Sequence, residues 1–221
     1  MKREPKIIDL DSWPRREHYE FFKPYPVPFF SITTSVDVAP LRKLLKTRDV
    51  SFTAGLLYVL TRAANGVPQF RQRIREDAPI EYERIHAGVT VLCPGDVFKF
   101  CPLAYYDDFE RFVREASEAI ERSRRGEALV PDDLVEGGRI RDDMIYCTSL
   151  PWFTFTGMLH PLGPDPTDSA PRIAWGRFEE RDGGLIMPLN VQAHHALIDG
   201  VHLATFFRKV EQLIQNPEAA I

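Results

Sequence analysis

The chain has 221 residues, 44% of them hydrophobic and 27% charged, with 28 basic against 32 acidic residues and a formal net charge of −4 at pH 7. That composition fits a globular protein with room for one generous core. The slight acidic excess argues against a nucleic-acid partner, which needs a basic face, and no apolar run reaches the ~18 to 20 residues of a membrane span.

Residues 1–11 carry Lys2, Arg3 and Lys6 with no apolar stretch behind them, so no secretory signal is expected. Residues 29–38 are β-rich and lead into a short helix over 39–47, around Leu41, Leu44 and Leu45. Residues 53–64 are apolar nearly all round, which predicts a helix packed on several sides. Residues 87–92 and 96–101 flank Cys93-Pro94-Gly95-Asp96, a turn composition, and so read as a hairpin. Residues 108–122 place Phe109, Phe112, Val113, Ala116 and Ile120 on one helical face, with Asp107 or Asp108 as the cap.

Residues 161–171 hold four prolines and predict an irregular surface loop. Residues 173–178 and 185–194 flank Arg181-Asp182-Gly183-Gly184 and predict a second hairpin. Residues 201–215 form a last helix through Leu203, Phe206, Phe207, Val210, Leu213 and Ile214, stopped by Asn216-Pro217. No repeat or linker composition divides the chain, so residues 1–221 are expected to be a single domain. The mixed order of strands and helices predicts an α+β sandwich, a mixed β-sheet with helices packed on one side. The three cysteines, Cys93, Cys101 and Cys147, are odd in number and lack metal-type spacing, so reduced thiols in the cytoplasm are expected.

The end of the second hairpin carries the chemistry. Leu185, Met187, Leu189, Val191, Ala193 and His195 share one parity, so a persistent strand would turn His195 toward the interior. Four residues on comes Asp199, then Gly200 and the last helix. A histidine in an apolar pocket stays neutral near pH 7 and can accept a proton. No Gly-x-Ser-x-Gly turn supplies a protein nucleophile, so such a base would act directly on a substrate. His194, His195, Asp199 and His202 are metal-ligand types, but adjacent strand residues point to opposite faces, and no metal site is expected.

The string His194-His195-Ala196-Leu197-Ile198-Asp199-Gly200 resembles the His-His-x-x-x-Asp-Gly motif of the coenzyme A-dependent acyltransferases. Other segments are similar to the chloramphenicol acetyltransferase family in particular. These are Trp13-Pro14-Arg15-Arg16-Glu17-His18-Tyr19-Glu20-Phe21-Phe22, Thr148-Ser149-Leu150-Pro151-Trp152, Ala170-Pro171 and Met187-Pro188-Leu189. The matches run in the same order along essentially the whole chain.

The resemblance implies a two-layer CoA-dependent acyltransferase-like sandwich, acetyl-CoA as co-substrate, no metal, and a homotrimer with active sites at subunit interfaces. It implies that His195 takes the acceptor hydroxyl proton as that oxygen attacks the thioester. Asp199 would pair with Arg15 and hold the catalytic turn, rather than serve as a triad acid. Thr148 stands at the family serine that stabilises the oxyanion, and a threonine keeps that donor. Arg177 matches a lysine near the 3′-phosphate of coenzyme A.

The implied acceptor wall comprises Phe22, Phe98, Phe100, Val130, His160 and Leu162. Phe22 replaces a tyrosine, Phe100 a small alanine, Val130 a phenylalanine and His160 a leucine. Ala193 replaces a branched aliphatic residue and Val201 an aromatic one. Ala174 replaces a threonine that orders a water, and the segment between Pro131 and Thr148 is longer than in familiar members. The acceptor implied first is chloramphenicol. The alternatives are the same chemistry on another small hydroxylated molecule, and a catalytically silent homologue that binds CoA or another ligand.

Overall fold

The computed structural model describes residues 4–126, 128–163, 165 and 167–221. In chain order the elements are β1 (Lys6–Ile7), α1 (Arg16–Phe22), β2 (Phe29–Asp37), α2 (Ala39–Thr47), α3 (Phe52–Asn65), β3 (Gln72–Arg75), β4 (Ala78–Glu81), β5 (His86–Cys93), β6 (Val97–Leu103), α4 (Phe109–Arg125), β7 (Val135–Glu136), β8 (Arg139–Ile140), β9 (Met144–Leu150), β10 (Arg172–Gly176), β11 (Glu179–Arg181), β12 (Gly184–His194), α5 (Gly200–Gln215) and α6 (Pro217–Ala220). Pro68–Arg71 and Asp132–Leu134 form single 3₁₀ turns.

The main sheet has seven strands. Its lateral order is β2, β12, β10, β9, β5, β6, with β11 on the opening residues of β12. β9 runs parallel to both of its neighbours, and the other pairs are antiparallel. The sheet is therefore mixed, as expected. β1, β4 and β3 make a second, small sheet, and β7 and β8 a hairpin, neither of which the sequence signals. That hairpin occupies the long stretch between Pro131 and Thr148.

The four long helices fall where the apolar spacing puts them. Asp108 is the cap of α4, its carboxylate accepting the Arg111 N–H at 2.7 Å. α3 is buried along nearly its whole length, from Ala54 to Ala64. α5 turns Leu203, Phe206, Val210 and Ile214 inward, and Phe206 stacks on Phe70 at 4.5 Å between ring centroids. Each such buried side chain stabilises the fold by about 1.5–3 kcal/mol. One contiguous apolar core runs from Tyr19 to Ile214.

The second hairpin differs from its expectation. The stretch 173–178 is split: β10 ends at Gly176, and a separate β11 makes the tight turn with β12. Asp182 (φ 53°) and Gly183 (φ 78°) form that turn, in the left-handed region that suits a two-residue hairpin. β12 is long enough to pair β11, β10 and β2 at once, and so carries the sheet to the turn that holds His195.

Alternation along the strands sorts the two faces. Val89, Cys101, Cys147, Ile173 and Val191 are buried in the core under the helices. Phe100, Thr148, Ala174 and Asn190 have the opposite parity and share the other face. Residues 151–171 cross this face without regular secondary structure apart from turns, as the prolines predict; Pro164 and Pro166 lie outside the described residues. Among the described residues, no helix is long and apolar enough to cross a membrane.

Candidate active site

β12 ends at His194, and the backbone then leaves the ladder. The His195 N–H donates to the Pro28 carbonyl at 2.7 Å, and Ile198 N–H returns to the His194 carbonyl at 3.0 Å. An interior His195 would need the strand to persist, and β12 stops one residue short of it. The His195 side chain is 35% exposed, flanked by Phe22 on one side and Phe30 on the other, at 4.0 and 4.7 Å between ring centroids. The enclosed imidazole is instead His194, edge-on to Phe29. Its Nδ1 accepts the Ala196 N–H at 3.2 Å. Burial, reinforced by the neighbouring His195, pushes its pKa down to about 4.

The His195 ring is oriented through Nδ1, which lies 3.2 Å from the Ile198 carbonyl oxygen and 3.0 Å from Asp199 Oδ1. Neither oxygen can donate, so Nδ1 carries the proton. In the neutral ring Nε2 is then left with a free lone pair, as a general base requires.

Asp199 caps α5 and pairs through Oδ2 with Arg15 Nη1. Arg15 Nη2 also donates to the His195 carbonyl at 3.2 Å. Burial raises the Asp199 carboxyl, but the Arg15 hydrogen bond and charge outweigh it and hold the pKa below the ordinary 3.8. The pair is largely buried, so removing either partner leaves an uncompensated charge. The same carboxylate reaches both Arg15 and His195, a double contact that spacing alone did not reveal.

Thr148 lies elsewhere. It pairs laterally with Ala174, and Ala174 with Asn190, on the face away from the helices. His195 is five residues beyond Asn190, so two strand spacings and five residue rises separate it from Thr148, about 19 Å between Cα atoms. One chain cannot bring both to a single carbonyl. The Thr148 hydroxyl is half-buried and makes no hydrogen bond among the described residues.

The remaining expected residues sort between the two places. Phe22 belongs to the His195 cluster. Phe98 and Phe100 form an edge-to-face pair at 5.4 Å on the Thr148 face. Phe100 N–H donates to the Leu129 carbonyl at 3.0 Å, so the chain just before Val130 runs along β6. His160 also belongs to this face. Its N–H donates to Gln192 Oε1 at 2.7 Å, and Gln192 Nε2 returns to the His160 carbonyl at 3.3 Å. Ser31 and Asn190 likewise donate to the Met158 carbonyl, at 2.8 and 3.3 Å.

Burial, with the Arg172 charge adding to it, pushes the His160 imidazole down to about 4. Leu162, two residues on, is exposed. Arg177 is exposed too, donating to the Trp152 carbonyl and pairing with Glu179 at 3.0 Å. Phe30 is not singled out by the sequence, and His202 figures there only as a metal-ligand type. Phe30 carried no signal, but His202 sits three residues after Asp199, the spacing of a helix capping box.

A family model described as chloramphenicol acetyltransferase matches residues 4–211. The chain is 27% identical to chloramphenicol acetyltransferase 2 of Haemophilus influenzae over 210 residues, covering 95% of this chain and 96% of that one. It is 29% identical to the chloramphenicol acetyltransferase of Streptomyces acrimycini over 215 residues, covering 96% of each. A solved chloramphenicol acetyltransferase superposes with a TM-score of 0.86 at 29% identity, covering 96% of this chain and all of that one. A dihydrolipoamide acetyltransferase of Azotobacter vinelandii shares the fold at 18% identity, with a TM-score of 0.66 over the whole of this chain and 93% of that one.

Proposed function

This chain belongs to the chloramphenicol acetyltransferase family and is an acyltransferase, and from that premise we propose that His195 is the general base of an acetyl transfer from acetyl-CoA to a hydroxyl of chloramphenicol. His195 Nε2 takes the hydroxyl proton as the acceptor oxygen attacks the thioester carbonyl. The tetrahedral oxyanion receives a hydrogen bond from the Thr148 hydroxyl. Collapse expels the CoA thiolate, which recovers the proton from the imidazolium and leaves as free thiol. Asp199 and Arg15 hold the turn.

The observation that carries this reading is the His195 ring itself. Its Nδ1 is hydrogen-bonded to the Ile198 carbonyl, with the Asp199 carboxylate close by, so the free lone pair sits on the other nitrogen. The separation of Thr148 from His195 supports the second part of the reading, a homotrimer in which each site joins His195 of one subunit to the Thr148 face of the next. Phe22, Phe98, Phe100, Val130, His160 and Leu162 then line an acceptor cleft, and Arg177 faces the phosphates of coenzyme A. Buried, unpaired Cys93, Cys101 and Cys147 are in keeping with a cytoplasmic enzyme.

One specific observation favours a second acceptor: a half-buried imidazole, His160, stands in the strap over the Thr148 face. The test is release of free thiol from acetyl-CoA by the purified protein with chloramphenicol. Release that His195→Ala abolishes supports the reading. Release only with another alcohol moves the acceptor, and acetyl-CoA binding without turnover on a broad panel of alcohols means a silent homologue.

A further inference from the structure

The peptide unit between Ile198 and Asp199 is engaged at both ends by imidazoles. Its carbonyl oxygen lies 3.2 Å from His195 Nδ1, and its N–H donates to His202 Nδ1 at 2.9 Å. A backbone N–H can only donate, so His202 Nδ1 is the acceptor and the His202 proton sits on Nε2. The carbonyl and N–H of one planar peptide move together. Whatever fixes the N–H therefore fixes the carbonyl, and with it the hydrogen-bond acceptor of His195 Nδ1–H; Asp199 Oδ1, 3.0 Å away, lies at ion-pair distance but makes no hydrogen bond to that nitrogen.

We propose that His202 is a positioning residue for the acetyl transfer, setting through the Ile198–Asp199 peptide which nitrogen of His195 carries the proton. This inference rests on the reading of His195 as general base. His202 is the third residue of α5, where a capping box ordinarily has Glu or Gln reaching back to the cap N–H. A histidine does the same with a shorter and stiffer arm. Without it the Asp199 N–H loses its acceptor, and the peptide is free to tilt its carbonyl away from His195. The opposite tautomer would then place the proton on Nε2, where it blocks the base.

The groups facing His202 agree with an accepting nitrogen. Burial and the Arg15 charge hold its pKa below the ordinary 6.5, against a smaller opposing effect of Asp199. Both charged groups belong to the same catalytic turn, Asp199 as its cap and Arg15 as the side chain clamped on it.

The test uses the full chain and three variants, His202→Ala, His202→Gln and His195→Ala, with acetyl-CoA and the acceptor that gives thiol release. His202→Ala is expected to lose about tenfold or more in kcat with KM for both substrates nearly unchanged, and His202→Gln to recover most of that loss. Nitrogen-15 NMR of histidine-labelled protein reads the tautomer directly and needs no acceptor. His195 is expected to carry its proton on Nδ1 in the wild type and in His202→Gln, and to shift toward the Nε2-protonated form in His202→Ala. An unchanged His195 tautomer and kcat in a folded His202→Ala protein overturn the proposal. If His195→Ala itself keeps its activity, the general-base reading has failed instead. Should His202→Ala not fold, His202→Gln decides alone: a loss of kcat as large as that in His195→Ala contradicts the acceptor role.

Discussion

The ring of Phe22 lies flat against the imidazole of His195, with centroids 4.0 Å apart and planes 17° from parallel. Phe22 is the last residue of α1, so the helix end positions one wall of the site. A stacked pair of this kind contributes about 0.5–1.5 kcal/mol beyond area burial. Phe22→Ala frees the imidazole on that side, and kcat is expected to fall about three- to tenfold at unchanged acetyl-CoA KM. Phe22→Tyr keeps the stack and is expected to stay within about twofold. Steady-state kinetics checks both, and a Phe22→Ala enzyme at full kcat contradicts a positioning role for the ring.

Asp199→Asn keeps the cap but removes the charge that Arg15 and His195 share. Leaving Arg15 largely buried without its carboxylate is expected to cost about 1–3 kcal/mol of stability. Activity should fall with it, since the Arg15–Asp199 pair anchors the turn that carries His195. Thermal melting and turnover are the two measurements. Lost activity at an unchanged melting temperature contradicts the structural part of this role.

Co-expression of His195→Ala with Thr148→Ala tests the joint site. Each variant alone is expected to be strongly impaired. Random mixing into trimers gives about a quarter of the sites one intact His195 and one intact Thr148 on neighbouring subunits. Activity of mixed trimers, isolated through two different tags, should therefore exceed that of either parent. Mixed trimers no better than their parents would show that the two residues do not share a site across an interface.

Acid should destabilise the fold well above the carboxylate range. His194 and His160 are held near pKa 4 when folded, against an ordinary 6.5. Between these values the unfolded chain binds more protons, so stability is full above pH 6.5 and falls as pH drops toward 4. The buried His194 alone accounts for something on the order of 3 kcal/mol across that interval. Asp199 adds a further loss only below its ordinary 3.8, since its folded pKa is depressed. Denaturant titrations at several pH values measure the slope, and His160→Leu should make it shallower. A wild-type stability flat from pH 6.5 to 5 contradicts this account.

Local pattern made the four long helices legible, because each carries an apolar stripe of at least two turns. The strands β2 and β12 were legible as strands but not as partners, since pairing across more than 140 residues has no local signal. β9 was not expected from local pattern at all, and its central parallel place depends on strands far away in sequence. At the site, the resemblance paired Arg15 with Asp199, and the two side chains are in contact. Strand parity misjudged how enclosed His195 is, because alternation ends where β12 ends, one residue earlier. The proposed joining of His195 to the Thr148 face of another subunit rests on resemblance, since a single chain's sequence does not encode a distance to its neighbour.

The strap over the Thr148 face hangs from very few stitches. Ser31, Asn190 and Gln192 belong to β2 and β12, and they hydrogen-bond to the main chain of Met158 and His160. Backbone bonds are indifferent to what side chains the strap presents. The panel can thus be refaced, residue by residue, while the frame that mounts it stays the same. Substitutions in the strap can therefore reshape what faces Thr148 without disturbing the turn that holds His195.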